Sequence, residues 1–254
     1  MNPGQREFEV YLPIGYTDSA DHVQRRAVLR KMSGHEEALL YDTSLNAGQL
    51  VTELLRSCLV RLGDMTEVST DAVAQLYTAD RNYLLLELRR ITLGDRLQAS
   101  YPCPRCHNDV AIVEDLGQIA VRRLNEGETL TPIDLDLDDG YFDRQGQHHT
   151  HLTMTLPRGK DEEFVSPMAT RDPLKAQDAL LLRCIERFGT LPQAALEAYG
   201  VKILRDLTLA DRYKLQQTFH EQMPGVDFRR DVQCPNCHTT FNGVMDVSNF
   251  FVVS

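Results

Sequence analysis

Four cysteines, arranged as two Cys-Pro-X-Cys pairs, are the residues of this chain best suited to do chemistry. The pairs are Cys103/Cys106 and Cys234/Cys237, and a histidine follows each pair. A turn of this spacing between two strands points two thiolates at one ion, and zinc prefers four such ligands in a tetrahedron. We therefore predict one structural Zn²⁺ held by all four thiolates, with no open coordination position for activating water.

The histidines admit both a structural and a ligand interpretation. We expect His107 and His238 to adopt a positive φ and complete the two turns; the alternative is a mixed Cys/His ligand set. His148, His149 and His151 lie close together in sequence. We expect them on a solvated strand face, with a second metal site as the alternative.

Two further features are interpreted as structural. Cys58 and Cys184 occupy apolar positions of predicted helices, so we expect buried, unreactive thiols. The acidic stretch 134–139 does not match a calcium-binding loop, because its glycine comes one position too late. No phosphate-binding loop and no nucleophile with an assignable base is recognisable, so the sequence predicts neither an enzyme nor a small-molecule substrate.

Composition and charge exclude several classes of protein. The 254 residues carry 27 Lys and Arg against 37 Asp and Glu, a net charge of −10 that disfavours general nucleic-acid binding. Six cysteines are too few for a disulfide scaffold. No apolar run approaches the roughly 20 residues of a membrane span, and the first residues do not resemble a secretory signal, so we expect cytoplasmic synthesis and no membrane partner.

The cysteine pairs belong to an internal repeat. A displacement of 126 positions aligns Cys58 with Cys184, and a displacement of 131 positions aligns Cys103 with Cys234. The identities fall on cap, turn and candidate ligand residues, which indicates a duplicated unit of about 120 residues. We predict a first repeat at 1–117, a linker at 118–131 and a second repeat at 132–254.

Each repeat predicts the same order of elements. In the first, a hairpin at 7–12 and 22–29 precedes a short helix that begins at the capping box Ser33-Gly-His-Glu36. Long helices are expected at 47–62 and 78–94, followed by strands at 96–101 and 109–115 around the first cysteine pair. The corresponding elements of the second repeat are predicted as a hairpin at 133–137 and 151–156, helices beginning near 160, at 173 and at 208, and strands at 227–233 and 240–247. Gly63 and Gly189, in the left-handed conformation, are expected to end the second helix of each repeat.

The predicted fold class is therefore α+β, with two pseudo-two-fold repeats that share one zinc-ribbon-like site. The repeated Ala-Asp-Arg at 79–81 and 210–212 is expected in a first helical turn, where Asp favours the helix dipole and Arg braces the neighbouring hairpin. The apolar stretch 250–253 is expected either to add a strand beside the second ribbon or to contact a partner.

Several segments resemble one known family over nearly the whole chain. They are YLPIGY, SGHEEALL, LVTELLRSCLVRLG, ADRNYLLLELRRITLGDR before the first cysteine pair, and CPNCHTTFNGVMDVSNFF at the second. These segments resemble the baseplate hub and assembly-chaperone family of contractile-tailed phages and extracellular contractile injection systems. The resemblance implies a non-enzymatic baseplate component or assembly factor that acts beside the hub, spike or tube proteins and that could enter the finished particle.

Two other functions remain as alternatives. A zinc-ribbon accessory of a nucleic-acid enzyme would need a basic face, which the net charge disfavours. A metalloenzyme would combine one cysteine pair with His148 or His151.

Overall fold

The computed structural model describes residues 6–17, 22–247 and 250–251. Within these ranges the chain is a mixed α+β structure with eight α-helices and five small antiparallel sheets. The predicted α+β class is therefore confirmed.

The helices begin at sequence signals that cap their first free N–H groups. Ser33, Asn46, Ser69, Asp172 and Thr208 each accept a hydrogen bond from a backbone N–H of the first turn. The helices are α1 Gly34–Leu40, α2 Ala47–Cys58, α3 Thr70–Gln75, α4 Thr78–Leu93, α5 Gly159–Ala169, α6 Pro173–Cys184, α7 Gln193–Asp206 and α8 Leu209–Gln222, with a 3₁₀ turn at Leu116–Gln118.

The strands form two three-stranded sheets and three two-stranded ribbons. The strands are β1 Glu7–Thr17, β2 Val23–Arg30, β3 Leu59–Leu62, β4 Arg96–Pro102, β5 Asp109–Asp115, β6 Val121–Arg122, β7 Ile133–Phe142, β8 His148–Met154, β9 Ile185–Phe188, β10 Gly225–Val226, β11 Arg229–Gln233 and β12 Thr240–Val244. Their orders are β1-β2-β3, β7-β8-β9, β4-β5, β11-β12 and β6-β10.

The same element order occurs twice along the chain. Two strands, two helices, a third strand, two helices and a final hairpin follow one another from β1 to β5, and again from β7 to β12 with the short β10 inserted. The sequence predicted this order except for the third strands and for the helices α3 and α7.

The predicted long helices at 47–62 and 173–189 were wrong at their C-terminal ends. Helix α2 ends at Cys58, and Leu59–Leu62 forms β3, which pairs with β2. Helix α6 and β9 repeat this arrangement. Four residues with apolar side chains at both ends fit a helix or a strand equally well, and the open edge of the hairpin offers them backbone partners. The expected positive φ of Gly63 and Gly189 occurs at the end of each strand.

Two hydrophobic cores lie under the two three-stranded sheets. The larger core includes Leu12, Leu29, Leu55, Leu84 and Leu86 from the first half of the chain. The smaller core includes Leu135, Leu152, Ile185, Phe188 and Ile203 from the second half. Each sheet therefore buries one face against its own helices.

The repeated Asp-Arg pairs at 80–81 and 211–212 lie in first helical turns as predicted, but the prediction that the arginines brace the hairpins was wrong. Asp80, not Arg81, braces the first hairpin: its carboxylate accepts the N–H groups of Ile14 and Gly15, at 2.8 and 2.9 Å. Asp211 accepts the N–H groups of residues 138–140 of the second hairpin. Both hairpins bulge there, which exposes N–H groups that a buried carboxylate can satisfy.

Arg81 instead joins the two halves of the chain. Its guanidinium is fully buried, donates to the Thr52 hydroxyl and the Gly48 carbonyl of α2, and lies 3.1 Å from the Glu162 carboxylate of α5. Helix α5 approaches so closely that a Cβ at Gly48 would lie 2.6 Å from the backbone of Glu163. An ion pair with a buried arginine and a glycine contact therefore dock α5 of the second half against α4 and α2.

The C-terminal stretch does not add a strand at its described positions. Phe250 is fully buried in a turn, packs edge-on against Phe228 at 5.9 Å and belongs to the core of the first half. The rest of the predicted strand, at 252–253, lies outside the described residues.

Candidate metal centre

The four predicted cysteines lie at the tips of two hairpins with the same turn. The Cys103 N–H donates to the carbonyl of Asn108 at 3.0 Å, and the His107 N–H donates to the carbonyl of Cys103 at 2.9 Å. In the second hairpin, the Cys234 and His238 N–H groups repeat these two bonds to Thr239 and Cys234. Each turn thus presents two sulfurs on one side.

The two turns face each other and bring all four thiols together. The Sγ atoms of Cys103 and Cys237 are 3.6 Å apart, as are those of Cys106 and Cys234, and all four lie within 4.8 Å of one another. Zn–S bonds of about 2.3 Å in a tetrahedron require sulfurs about 3.8 Å apart. The spacing and the all-thiol donor set therefore fit a zinc ion.

Packing between the two hairpins supports this juxtaposition. Tyr101 on β4 is buried against β12, where a Cβ at Gly243 would lie 2.5 Å from the tyrosine ring. Glu114 accepts the Tyr101 hydroxyl at 2.7 Å and lies 3.3 Å from Arg230 of the other hairpin. None of these supporting contacts was predicted, although Gly243 inside a strand was a possible signal of close approach.

Hydrogen-bond donors beside Cys106 and Cys237 favour the thiolate form of these two residues, whereas burial and the neighbouring thiols raise the pKa of Cys234 to about 11. The hydroxyl of Thr239, 3.4 Å from the Cys237 sulfur, and its backbone N–H lower the pKa of that thiol to about 6. The backbone N–H of Asn108 and the side chain of Asn236 lower the pKa of Cys106. Metal binding requires deprotonated thiols, so these neighbours suit the ligand role.

The chain matches a known family of tail proteins. The family model described as T4 bacteriophage base plate protein matches residues 7–252. This chain belongs to that family. No curated protein and no solved structure matches it. The resemblance inferred from the sequence is thereby confirmed for the base plate family.

The histidines of this base plate protein lie outside the thiol cluster. His107 and His238 have φ values of +59° and +56°, as predicted. In the described part of the chain, the group whose ligand atoms converge consists of the four cysteines alone. His148 contacts the Asp139 carbonyl, and His149 and His151 contact the Asp143 and Asp136 carboxylates, at distances from 2.7 to 3.3 Å. The predicted solvated face was wrong for His149, which is buried on the face of β8 opposite to His148.

The two remaining cysteines of the base plate protein are isolated. Cys58 and Cys184 are fully buried in the two cores, and burial raises the pKa of each thiol to about 12. This agrees with the prediction of buried, unreactive thiols. Among the described residues, no helix is both long and apolar enough to cross a membrane.

Proposed function

We propose that this base plate protein is a non-enzymatic structural or assembly component of a contractile tail or injection-system baseplate, acting near the hub, spike or tube. The observation that carries the proposal is the convergence of two distant cysteine pairs in a member of the base plate family. Such a centre suits a body that presents surfaces to neighbouring proteins and can be incorporated into the particle.

Zinc is proposed as a clamp between the two halves of the chain. Cys103 and Cys106 would supply two ligands, and Cys234 and Cys237 the other two. Because the two pairs are 128 to 134 positions apart along the chain, bound metal would oppose separation of the hairpins. Structural zinc contributes on the order of 10 kcal/mol in small peptides, comparable with the stability of a domain.

We further propose that the halves are tandem copies, with boundaries at 1–117, 118–131 and 132–254. One contact that occurs in both halves supports this proposal besides the element order. Arg81 donates to the carbonyl of Val73, and Arg212 donates to the carbonyl of Leu204, both 131 positions later. The proposed linker carries β6, which pairs with β10 of the second half.

Deletion of the gene tests the proposed role. Electron microscopy should show particles that are absent or lack intact baseplates, and wild-type protein should restore them. A Cys103→Ser, Cys234→Ser variant should not restore them, whereas Cys184→Ala, which removes a thiol outside the cluster, should. Normal, contracting particles after deletion would contradict the proposal.

A further inference from the structure

An apolar groove of about 650 Å³ crosses the second half of the protein, between helices α5, α6 and α7. Its floor is formed by Met168, Ala179, Leu182 and Leu196. The groove is preformed, because α6 and α7 touch where a Cβ at Gly200 would lie 2.2 Å from Leu182.

The residues that line the groove carry a net positive charge in a protein whose net charge is −10, because four basic side chains face two acidic ones: Arg158, Lys160, Lys175 and Arg183 against Asp161 and Glu197. Arg183 is neutralised by Asp161, whose carboxylate lies 2.7 Å from it. Lys160 and Lys175 are exposed and form no ion pair within the described ranges. Their ammonium groups are therefore available to a carboxylate.

An exposed aromatic side chain stands beside this charge. Phe164 is 56 % exposed on α5, and the guanidinium of Arg183 lies 4.5 Å from its ring centroid. Phe164 also follows the unpaired Lys160 by four residues on the same helix, which places both on one face. Large apolar side chains near unpaired cations are typical of surfaces that recognise a segment with both apolar and acidic residues.

We propose that this groove binds an acidic amphipathic helix of another baseplate protein. Apolar side chains of one face of that helix would cover the floor, and carboxylates along its edge would pair with Lys160 and Lys175. The inference rests on the proposed baseplate role but not on the zinc clamp.

A similar contact between an acidic helix and a cation occurs elsewhere in this chain. Helix α5 begins with an acidic turn, and its Glu162 lies against the buried Arg81 while its backbone packs on α2. A carboxylate of α5 thus pairs with a cation of α4 where the backbone of α5 packs on α2.

Fluorescence anisotropy with labelled peptides tests the proposal on the full-length, zinc-loaded protein. The probe is a helical peptide of about 18 residues with leucines at positions i, i+3, i+4 and i+7 and glutamates on its edges, in about 0.1 M salt. Its matched control carries lysines in place of the glutamates. The acidic peptide should bind, and the basic peptide should not.

Variants assign the binding to the groove. The double variant Lys160→Glu, Lys175→Glu should bind the acidic peptide at least about tenfold more weakly, and Phe164→Ala should also lower the affinity. Lys202→Glu alters a lysine on α7 that pairs with Asp206 and does not line the groove, so binding should persist.

Three results would overturn the proposal: no binding of the acidic peptide, equal binding of both peptides, or self-association in sedimentation that the double lysine variant abolishes. The last result would make a second copy of this chain the occupant. The zinc content of each variant is measured in parallel. Absence of peptide binding by the unaltered, zinc-containing protein would mark failure of this inference alone, whereas absence of zinc from the unaltered protein would mark failure of the proposed clamp.

Discussion

At the scale of single residues, two histidines adopt a backbone conformation that most side chains avoid. His107 and His238 have φ near +60° because each turn must reverse while its carbonyls and N–H groups remain paired. The sequence position was sufficient to predict this, since the residue after a second knuckle cysteine closes the turn.

The effect of a substitution at His107 on stability should depend on how well the new residue tolerates a positive φ. A β-branched residue is strained there, so His107→Val should lower the free energy of unfolding by about 1 to 3 kcal/mol. His107→Asn, which tolerates the left-handed region, serves as the control and should be nearly neutral. Urea denaturation of the zinc-loaded proteins measures both. Equal losses in the two variants would show that the imidazole itself, rather than the backbone, matters.

Glu36 is the residue whose charge state most clearly favours the fold. The Arg30 guanidinium, 2.7 Å away, lowers the pKa of this carboxyl from 4.5 to about 2, and the Ser33 N–H also donates to it. Because the folded-state pKa is depressed, its stabilisation is present above about pH 4.5 and is lost as the pH falls toward 2.

The Glu36→Gln variant should reveal this contribution. At pH 7 the substitution should lower the free energy of unfolding by about 1 to 2 kcal/mol, a range that allows for the solvent exposure of Arg30. Near pH 3 the loss should be much smaller. The amide keeps the capping geometry, so the lost charge dominates. Denaturation at both pH values is compared with Glu37→Gln, an exposed neighbour on the same helix. A cost independent of pH would contradict the assigned role of the charge.

At the scale of elements, residues that cap or end helices and strand-like patterns in the sequence predicted the elements that contain them. Ser33 and Thr208 at helix starts, Gly94 at a helix end and the alternation at 109–115 all marked elements that the structure contains. The third strands were missed because their placement depends on the open edge of a hairpin. Helix α3 was missed because six residues carry too little periodicity.

The junction between α2 and α5 could not be predicted from the sequence, because it depends on a contact between distant parts of the chain. Gly48 lies in a helix where glycine is locally unfavourable, and its benefit arises only from the backbone of Glu163 in the other half. The duplicated pattern offers no warning, because the aligned residue in the second half is the exposed Leu174.

Filling that junction should destabilise the protein. Gly48→Ala places a Cβ against the α5 backbone and should cost about 1 to 3 kcal/mol despite the better helix propensity of alanine. Gly34→Ala is the matched control, since a Cβ at Gly34 in α1 meets nothing within 4 Å and should be neutral or stabilising. Thermal denaturation compares them. A stable Gly48→Ala protein would show that the junction is loose.

At the scale of the whole molecule, the candidate centre followed from two separate sequence signals. The Cys-Pro-X-Cys spacing identified the residues, and the repeat suggested that the two pairs meet. Neither signal could predict the packing that brings the hairpins together, because Tyr101, Gly243 and the Glu114–Arg230 pair act between elements far apart in the chain.

The most direct test of the zinc clamp is metal analysis of the full-length protein combined with X-ray absorption at the zinc edge. We predict one zinc per chain, four sulfur ligands at about 2.3 Å, and loss of the metal in Cys106→Ser but not in Cys184→Ala. A protein without zinc, or zinc with nitrogen or oxygen ligands, would contradict this prediction.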